Sequence, residues 1–407
     1  MIALSPPFEA PLSPAAPSFK PDATPVNALG PILALTLSSQ LSLGIAPAAG
    51  AWTPVEHLPG VVDVAGPRAD GRLVVSAGRN LYLLDRASGD LQPFASGAGG
   101  YPPLPGDEPY LAVSSGRTVP STGCRFTRDD VFVIDQAPHR VWRISGGRAN
   151  VFATVDGVDS LSGITFDDTG RFGNRLLVIG PSHGSTVVAA VDCRGVVTHV
   201  TNAAPAMEGG TVVAPAGFGA FAGDLIAPDE LSGVIRAVRP DGSTVVMAVS
   251  GLPRGQDTGI EGLGFVPPGF TEGGTAYFAD RSTPGNRYPG TGSLLSVDRA
   301  TLVSSGVRDG DLLGATEGGA RTVAVRCDSS CLVTEVAQGP ATAHGEGHLL
   351  VVADHPLPGA ASLPPAGDLG AAARTQALLI RAGLTVLGGA GLALVVIVFR
   401  RNRRRIS

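Results

Sequence analysis

The feature that most constrains the fold is a recurring phrase of short β-branched runs, each bounded by Gly, Pro, Asp or Asn. In its first copy, residues 72–76 (RLVVS) lead to residues 81–85 (LYLLD) and then to a glycine turn. Further copies begin at residues 131, 175, 224 and 276, and a blurred last copy covers 322–326, 332–336 and 348–353. Apolar residues show no helical periodicity before residue 377. The pattern therefore predicts a series of small antiparallel sheets, each built from three or four strands.

The repeat length, about 40 to 60 residues, is typical of the blades of a β-propeller, where each small sheet buries its faces against its neighbours. Six copies predict an all-β, six-bladed propeller over residues 52–356. Seven blades and a pair of β-sandwiches are the alternatives. A sandwich would not repeat the same three-strand phrase.

Two phrases, SLSGITFDDTGRFGNRLLV at 160–178 and PAGFGAFAGDLIAPDELSGVIRAVRPDGS at 215–243, resemble bacterial secreted propellers of the NHL and gluconolactonase-like group. The resemblance spans most of the domain and reflects how blades are built more than any one activity. In the lactonase-like relatives, a Glu, an Asn and an Asp at the channel hold a metal ion. This chain has no Asn at a matching second-strand position, so the resemblance implies the fold more directly than the enzyme.

An acidic residue, often followed by glycine, precedes the predicted first strand of several blades. The instances are Glu108, Asp159, Glu208, Glu261 and Glu317. The innermost strand of a blade starts at the mouth of the central channel, so these positions should converge there. Carboxylates brought together repel one another unless they bind protons or a cation, and Ca²⁺ prefers oxygen ligands. The sequence thus predicts a calcium site, best supported at Glu208, Glu261 and Glu317. The alternative is solvated turns, in which Asp and Gly are common for local reasons.

A second acidic set ends the second strand of its blades: Asp135, Asp229, Glu230 and Asp280. Because the end of one antiparallel strand lies beside the start of the next, these residues should lie near the same mouth and enlarge an acidic basin.

Other catalytic signatures are weak. A group of histidines and acidic residues lies near the end of the domain: His344, His348 and His355 with Glu346 and Asp354. This stretch is Gly-rich and has no predicted helix that would direct two imidazole rings toward one metal ion. We therefore expect them to be surface loop and strand residues. The polar insertion at 281–292 carries Tyr288 and two arginines and is either a ligand contact or a flexible rim. The sequence contains no nucleophile elbow, P-loop or dinucleotide fingerprint.

Charge and cysteine content indicate an exported, non-nucleic-acid-binding protein. The formal net charge is −5 even with an arginine-rich tail, which argues against nucleic acid as a partner. Four cysteines predict two disulfides outside the cell: Cys327 with Cys331 in a small loop, and Cys124 with Cys193 if their blades are neighbours. Reduced thiols are one alternative. A C-x3-C metal half-site is another, but no second Cys/His cluster supports it.

The C-terminus has the pattern of a membrane anchor. Residues 377–399 form an apolar run long enough for a helix of about 35 Å, interrupted only by Arg381. Five arginines follow within residues 400–407, which by the positive-inside rule places this tail in the cytoplasm and the propeller outside. A transmembrane helix over 377–399 in the cell membrane is predicted.

The stretch between propeller and anchor contains the pentapeptide Leu363-Pro364-Pro365-Ala366-Gly367 within a Pro/Gly/Ala stalk at 357–376. Pentapeptide, spacer, apolar span and arginine tail together resemble the cell-wall sorting signal of Gram-positive surface proteins. That resemblance implies cleavage by a sortase and covalent attachment to peptidoglycan. The family usually has Thr at the position of Ala366. A plain linker before a tail anchor is the alternative.

The N-terminal residues 1–51 are predicted to be a leader. An apolar stretch at 29–45 is followed by Ala49 and Ala51, the small residues of a signal-peptidase site, and proline-rich residues 1–28 cannot build a core.

The propeller, the anchor and the leader together predict a cell-surface binding or interaction module of unidentified ligand. The competing function is a Ca²⁺-dependent lactonase or esterase that uses the carboxylates of the channel mouth.

Overall fold

Six small sheets surround a central channel in the computed structural model, which describes residues 50–103 and 108–355. The first four sheets, blades 1 to 4, are continuous in sequence and antiparallel, and their strands run in chain order. Blade 1 holds β3 (Val61–Ala65), β4 (Leu73–Ala77), β5 (Asn80–Leu84) and β6 (Leu91–Phe94). Blade 2 holds β7 (Leu111–Val113), β8 (Val131–Asp135), β9 (Arg140–Ser145) and β10 (Arg148–Thr154). Blade 3 holds β11 (Gly163–Phe166), β12 (Leu176–Ser182), β13 (Ser185–Val191) and β14 (Val197–Ala204). Blade 4 holds β15 (Val212–Val213), β16 (Leu225–Asp229), β17 (Val234–Val238) and β18 (Thr244–Val249), with a short 3-10 turn at Gly219–Phe221.

The last two blades are interleaved in sequence. Blade 5 contains β19 (Ile260–Phe265), β22 (Leu312–Thr316), β23 (Thr322–Cys327) and β24 (Cys331–Gln338), with β1 (Gly50–Ala51) added in parallel at its outer edge. Blade 6 runs from β25 (Gly345–Ala353) through β20 (Gly274–Asp280) and β21 (Ser293–Asp298) to β2 (Thr53–His57). The six-bladed prediction is confirmed, but the assignment of the last two copies is wrong. Residues 276–298 belong to blade 6, and residues 322–336 belong to blade 5.

The N-terminal strands fasten both interleaved blades. Trp52 lies between β1 and β2, is 3% exposed, and its indole N–H donates to the Thr322 hydroxyl at 2.8 Å. Its ring also packs against Phe278 at a centroid distance of 6.1 Å. The buried tryptophan therefore ties the start of the domain to blades 5 and 6 at once.

The middle strands of the blades are buried on both faces because each blade packs between two others. In β8 all five residues are buried, which explains why the sequence reads as a continuous apolar run and not as an alternation. Between blades 2 and 3, Phe132 makes edge-on contacts with Phe126, Phe152 and Phe166 at centroid distances of 5.0 to 5.7 Å. Helix content is small within residues 50–103 and 108–355: α1 (Arg299–Ser304) is capped by Asp298, whose carboxylate accepts the Thr301 N–H.

Both disulfides expected from the cysteines are present, Cys124–Cys193 and Cys327–Cys331. The first joins blade 2 to blade 3, and the second closes the turn between β23 and β24. The predicted leader up to residue 49, the stalk at 357–376, the transmembrane helix at 377–399 and the tail at 400–407 lie outside the described residues. Among the residues that are described, no helix is long and apolar enough to cross a membrane.

Candidate cation site at the channel mouth

Six glutamates converge where the inner strands begin, although they come from four blades. Three lie before or within inner strands as the sequence predicts: Glu108 before β7, Glu208 before β15, and Glu261 in β19. Glu346 lies in β25, whereas Glu230 and Glu317 directly follow the second strands β16 and β22. The expected position of Glu317 before a first strand is therefore wrong, yet it reaches the same mouth because antiparallel neighbours start and end together.

Glu346 is the most fully satisfied carboxylate of this set. It accepts hydrogen bonds from the Tyr110 hydroxyl at 2.8 Å and the Arg281 guanidinium at 2.9 Å, and His344 Nε2 lies 3.4 Å away. Burial acts to raise its pKa, but the His344 hydrogen bond and the Arg281 charge hold the pKa of Glu346 below its usual value. Glu346 is thus an anion already neutralised by the chain itself.

His344 is the second fixed cation of the mouth. Its Nε2 lies 2.9 Å from a carboxylate oxygen of Glu317, and its backbone N–H donates to Asp280 at 2.8 Å. Burial would lower the imidazole pKa, but the hydrogen bonds and charges of Glu317 and Glu346 raise the pKa of His344 to about 10. The ring is therefore an imidazolium at neutral pH.

Glu108 shares the guanidinium of Arg281, which donates to it at 2.9 Å, and accepts the Gln136 amide at 2.9 Å. Burial and the charge of Glu346 outweigh the arginine and raise the pKa of Glu108 to about 7. A carboxyl that titrates near neutrality is suited to proton transfer.

The remaining carboxyls have too few cations. Glu230 lies within hydrogen-bonding reach of Glu208 and Glu317, and burial together with the charges of these two raises the pKa of Glu230 to about 10. Burial and the charge of Glu346 also raise the pKa of Glu261, and burial raises that of Glu208. Among the described residues, no arginine or lysine bonds to Glu208, Glu230 or Glu261. Protons therefore neutralise part of the negative charge of these carboxyls, and a bound cation would neutralise it instead.

The donor set fits a hard cation better than zinc. The ligand atoms of Glu317, His344 and Glu346 lie within 4.8 Å of one another, close enough to share one ion. A histidine that binds a metal usually donates its other ring N–H to an acceptor, whereas the buried Nδ1 of His344 has no hydrogen-bond partner among the described residues. Carboxylate oxygens from Glu208, Glu230 and Glu317 are the ligands that Ca²⁺ prefers.

The other predicted residues divide between this mouth and separate roles. Asp280 joins the site through His344, as the second-strand rule predicts. Asp229 instead pairs with Arg236 at 2.7 Å, and Asp135 accepts the Trp142 indole N–H at 3.4 Å. Asp159 does not join the cluster, because it is exposed and accepts the His183 backbone N–H.

The expectation that the late histidines lie at the surface is wrong for two of the three. His344, His348 and Glu346 are buried at the channel, whereas Asp354 and His355 are exposed. His344 directly precedes β25, which carries Glu346 and His348, and the glycines at 345 and 347 obscure the β pattern at the start of this strand.

A buried ion pair that the sequence did not reveal lies deeper in the channel. His348 Nδ1 is 3.0 Å from the Asp63 carboxylate, and His348 Nε2 is 2.9 Å from the Ile164 carbonyl across the channel. Gly347, with φ +68°, passes so close that a Cβ there would lie 2.5 Å from Asp63. Gly209, with φ +77°, is equally tight against Glu261. The acidic-Gly dipeptides of the sequence therefore reflect close approach of the inner strands as well as turn chemistry.

The insertion at 281–292 covers one side of the mouth. Its first residue supplies the guanidinium described above. The Tyr288 ring packs over Gly318, beside Glu317, where a Cβ would lie 2.5 Å from the ring, and the Arg287 guanidinium lies 5.3 Å from the ring centre. The insertion is thus a wall of the site.

Fold and site together define a six-bladed propeller with an acid-lined channel mouth. No protein-family model and no curated protein matches the chain. Solved structures similar to it include virginiamycin B lyase from Staphylococcus aureus (12% identity, TM-score 0.40, covering 70% of this chain and 73% of that one). They also include regucalcin, a calcium-binding protein from Agrobacterium tumefaciens (12%, 0.43, 74% and 82%), and a putative gluconolactonase (10%, 0.38, 74% and 96%). At these identities and TM-scores the likenesses carry no argument about function.

Proposed function

We propose that this protein is a surface-anchored binding module whose channel mouth binds a divalent cation, with Ca²⁺ the ion that its oxygen ligands favour. One observation carries the proposal: Glu208, Glu230 and Glu317 meet in a partly buried group in which His344 is the one fixed cation that the described part of the chain supplies. Retaining ionised carboxyls this close is costly without a counter-charge. A bound cation supplies that charge, and its remaining coordination positions are open to an external ligand.

The location of the module is part of the same proposal. Two disulfides agree with an oxidising, extracytoplasmic environment. The apolar run at 377–399 and its arginine tail would hold the chain in the cell membrane, and the pentapeptide at 363–367 would allow transfer to peptidoglycan.

Calcium titration of the purified chain by isothermal calorimetry tests the cation site. We expect saturable binding by the unaltered protein, binding weakened at least tenfold in Glu317→Gln and Glu230→Gln, and no change in Glu272→Gln. Glu272 is a matched control because its side chain is exposed and lies away from the mouth. Absence of Ca²⁺ binding, or equal binding by the Glu317→Gln variant, would refute the proposal.

Glu108 favours a second candidate function, a cation-dependent lactonase or esterase. Its pKa of about 7 and its position beside Arg281 suit a general acid or base at the mouth. Hydrolysis of simple lactones and aryl esters, with and without Ca²⁺, tests this function. Activity that requires the ion and falls at least a hundredfold in Glu108→Gln, with Ca²⁺ binding retained, would establish the enzyme. Ca²⁺ binding without hydrolysis of these substrates would favour the binding module over the enzyme.

A further inference from the structure

The Cys124–Cys193 disulfide lies beside a cavity of about 500 Å³ between blades 2 and 3. Strands β9 and β10 supply one wall, which includes Ser145 and Asn150. The turn between β13 and β14 supplies the other wall, which includes Cys193, whereas Cys124 does not line the cavity. The two sulfurs of this bond therefore differ in access, because a solute in the cavity meets Cys193 first.

The sulfur of Cys124 has a hydrogen-bond donor beside it. The Thr122 hydroxyl lies 3.0 Å from Cys124 Sγ, and because a disulfide sulfur carries no proton, the hydroxyl is the donor. The same hydrogen bond would stabilise a thiolate formed on Cys124, since hydrogen bonds to ions are stronger than those to neutral acceptors. In thiol–disulfide exchange, the thiol with the more stable anion leaves faster. Attack at Cys193 with departure of Cys124 is therefore the direction that this geometry favours.

The two segments that carry the cysteines are also joined by contacts that do not involve the disulfide. The Arg194 guanidinium, next to Cys193 in sequence, donates to the Thr122 carbonyl at 3.1 Å. The Asn174 amide of blade 3 donates to the Thr118 carbonyl, in the connection between β7 and β8, at 2.7 Å. When the disulfide opens, these contacts hold the two sulfurs near each other, so that the bond re-forms at a high effective concentration.

Charged groups of both signs surround the cavity. Arg143 lines it and is paired with the Asp130 carboxylate at 2.6 Å. Arg194 also lines it and shares its turn with Asp192, whose carboxylate accepts the Arg194 backbone N–H at 2.9 Å and keeps its negative charge. The cavity therefore favours neither an anion nor a cation, whereas the hydroxyl and amide side chains in its wall suit a polar, uncharged solute.

We propose that Cys193 is a site of reversible thiol–disulfide exchange with a small, polar, uncharged thiol. That thiol loses its proton to water, and its thiolate attacks Cys193 Sγ from the cavity. A new S–S bond to Cys193 forms, the bond between Cys193 and Cys124 breaks, and its electron pair leaves with Cys124, which takes up a proton from water. In the reverse step the Cys124 thiolate attacks Cys193 and expels the small thiol, so neither direction needs an external oxidant.

Brief incubation of the native protein with 2-mercaptoethanol tests the assignment. The reaction is quenched with acid, free thiols are blocked with N-ethylmaleimide, and the peptides are identified by mass spectrometry. We expect the mercaptoethanol adduct on Cys193 and the maleimide on Cys124. Equal amounts of adduct on both cysteines would show that exchange occurs through the unfolded chain, in which access is equal, and would overturn the proposal. Absence of exchange at this disulfide would also overturn it.

Three variants separate a role in exchange from a role in structure. Thr122→Val removes the hydroxyl that stabilises the Cys124 thiolate and should slow exchange about tenfold. Thr122→Ser keeps a hydroxyl at that position, and Thr198→Val changes an exposed threonine outside the cavity, so both should exchange at the rate of the unaltered protein. An unchanged or faster rate in Thr122→Val would contradict the proposal, because loss of a merely structural contact loosens the segment and speeds attack.

Discussion

His348 and Asp63 form a buried ion pair at the centre of the channel although 285 residues separate them in sequence. The imidazole has an acceptor on each side, the Asp63 carboxylate at 3.0 Å and the Ile164 carbonyl at 2.9 Å. Satisfying both acceptors requires both ring N–H groups, so the geometry selects the imidazolium. Blades 1, 3 and 6 thus meet through one charged side chain.

Removing the charge of Asp63 should destabilise the whole propeller. In Asp63→Asn the imidazolium is left buried without its counter-ion, which for buried pairs costs about 3–5 kcal/mol. We expect the melting temperature to fall by on the order of 10 °C. Asp90→Asn, at an exposed carboxylate, is the control and should melt with the unaltered protein. A fall of less than 2 °C in Asp63→Asn would show that the pair contributes little.

The contribution of His348 should depend on pH in a fixed direction. Burial lowers its pKa, but the charge and hydrogen bonds of Asp63 dominate, and the pKa of His348 is raised in the folded state. Its stabilisation is therefore fully present below the unfolded value of about 6.5 and is lost as pH rises through the folded pKa. The melting-temperature difference between the unaltered protein and His348→Gln should be larger at pH 6 than at pH 10. A difference that grows with pH would contradict the assignment.

Calcium binding should release protons. Glu230, with a pKa of about 10, is protonated at pH 7.5, and a cation bound to its carboxylate must displace that proton. Binding enthalpies measured at pH 7.5 in Pipes and in Tris, whose ionisation enthalpies differ, should therefore differ, and affinity should rise with pH. In Glu230→Gln the buffer dependence should shrink. Identical enthalpies in both buffers would show that the site is already deprotonated.

The two disulfides should differ in their effect on stability. Cys124 and Cys193 are 69 residues apart, so their bond removes about 4 kcal/mol of unfolded-state entropy, against about 2 kcal/mol for Cys327 and Cys331, which are 4 residues apart. Replacing the first pair by serine should lower the melting temperature more than replacing the second. The opposite order would show that native-state packing around Cys327 outweighs loop closure.

Much of the architecture could be predicted because it follows from local patterns. The β-branched runs, their turns and their spacing are enough for six blades, since each blade repeats the same strand pattern. The order of the last two blades could not be predicted in this way. The sequence pattern did not identify β22, and it placed Glu317 before the strand at 322–326 as if that strand were the first of its blade. Nothing local says which inner strand β20 joins.

The site was predicted in part for a similar reason. Glu108, Glu208 and Glu261 precede or enter inner strands, so strand order alone brings them to the mouth. Arg281 was missed as a member because it opens a polar insertion directly after β20. His344 and Glu346 were missed because they flank Gly345, where glycines obscure the start of the inner strand β25. The role of Asp63 could not be predicted, because an aspartate inside an apolar run forms an ion pair only with a partner that the fold brings close, here His348.

The interleaving of blades 5 and 6 constrains how the protein is made. Blade 6 needs residues 53–57 and also residues 345–353, which are synthesised almost 300 residues later. A nascent chain that ends before Gly345 lacks the strand that carries Glu346 and His348. The ring must therefore stay open until residues 345–353 have been made, and the group of six glutamates is complete only when that strand closes it.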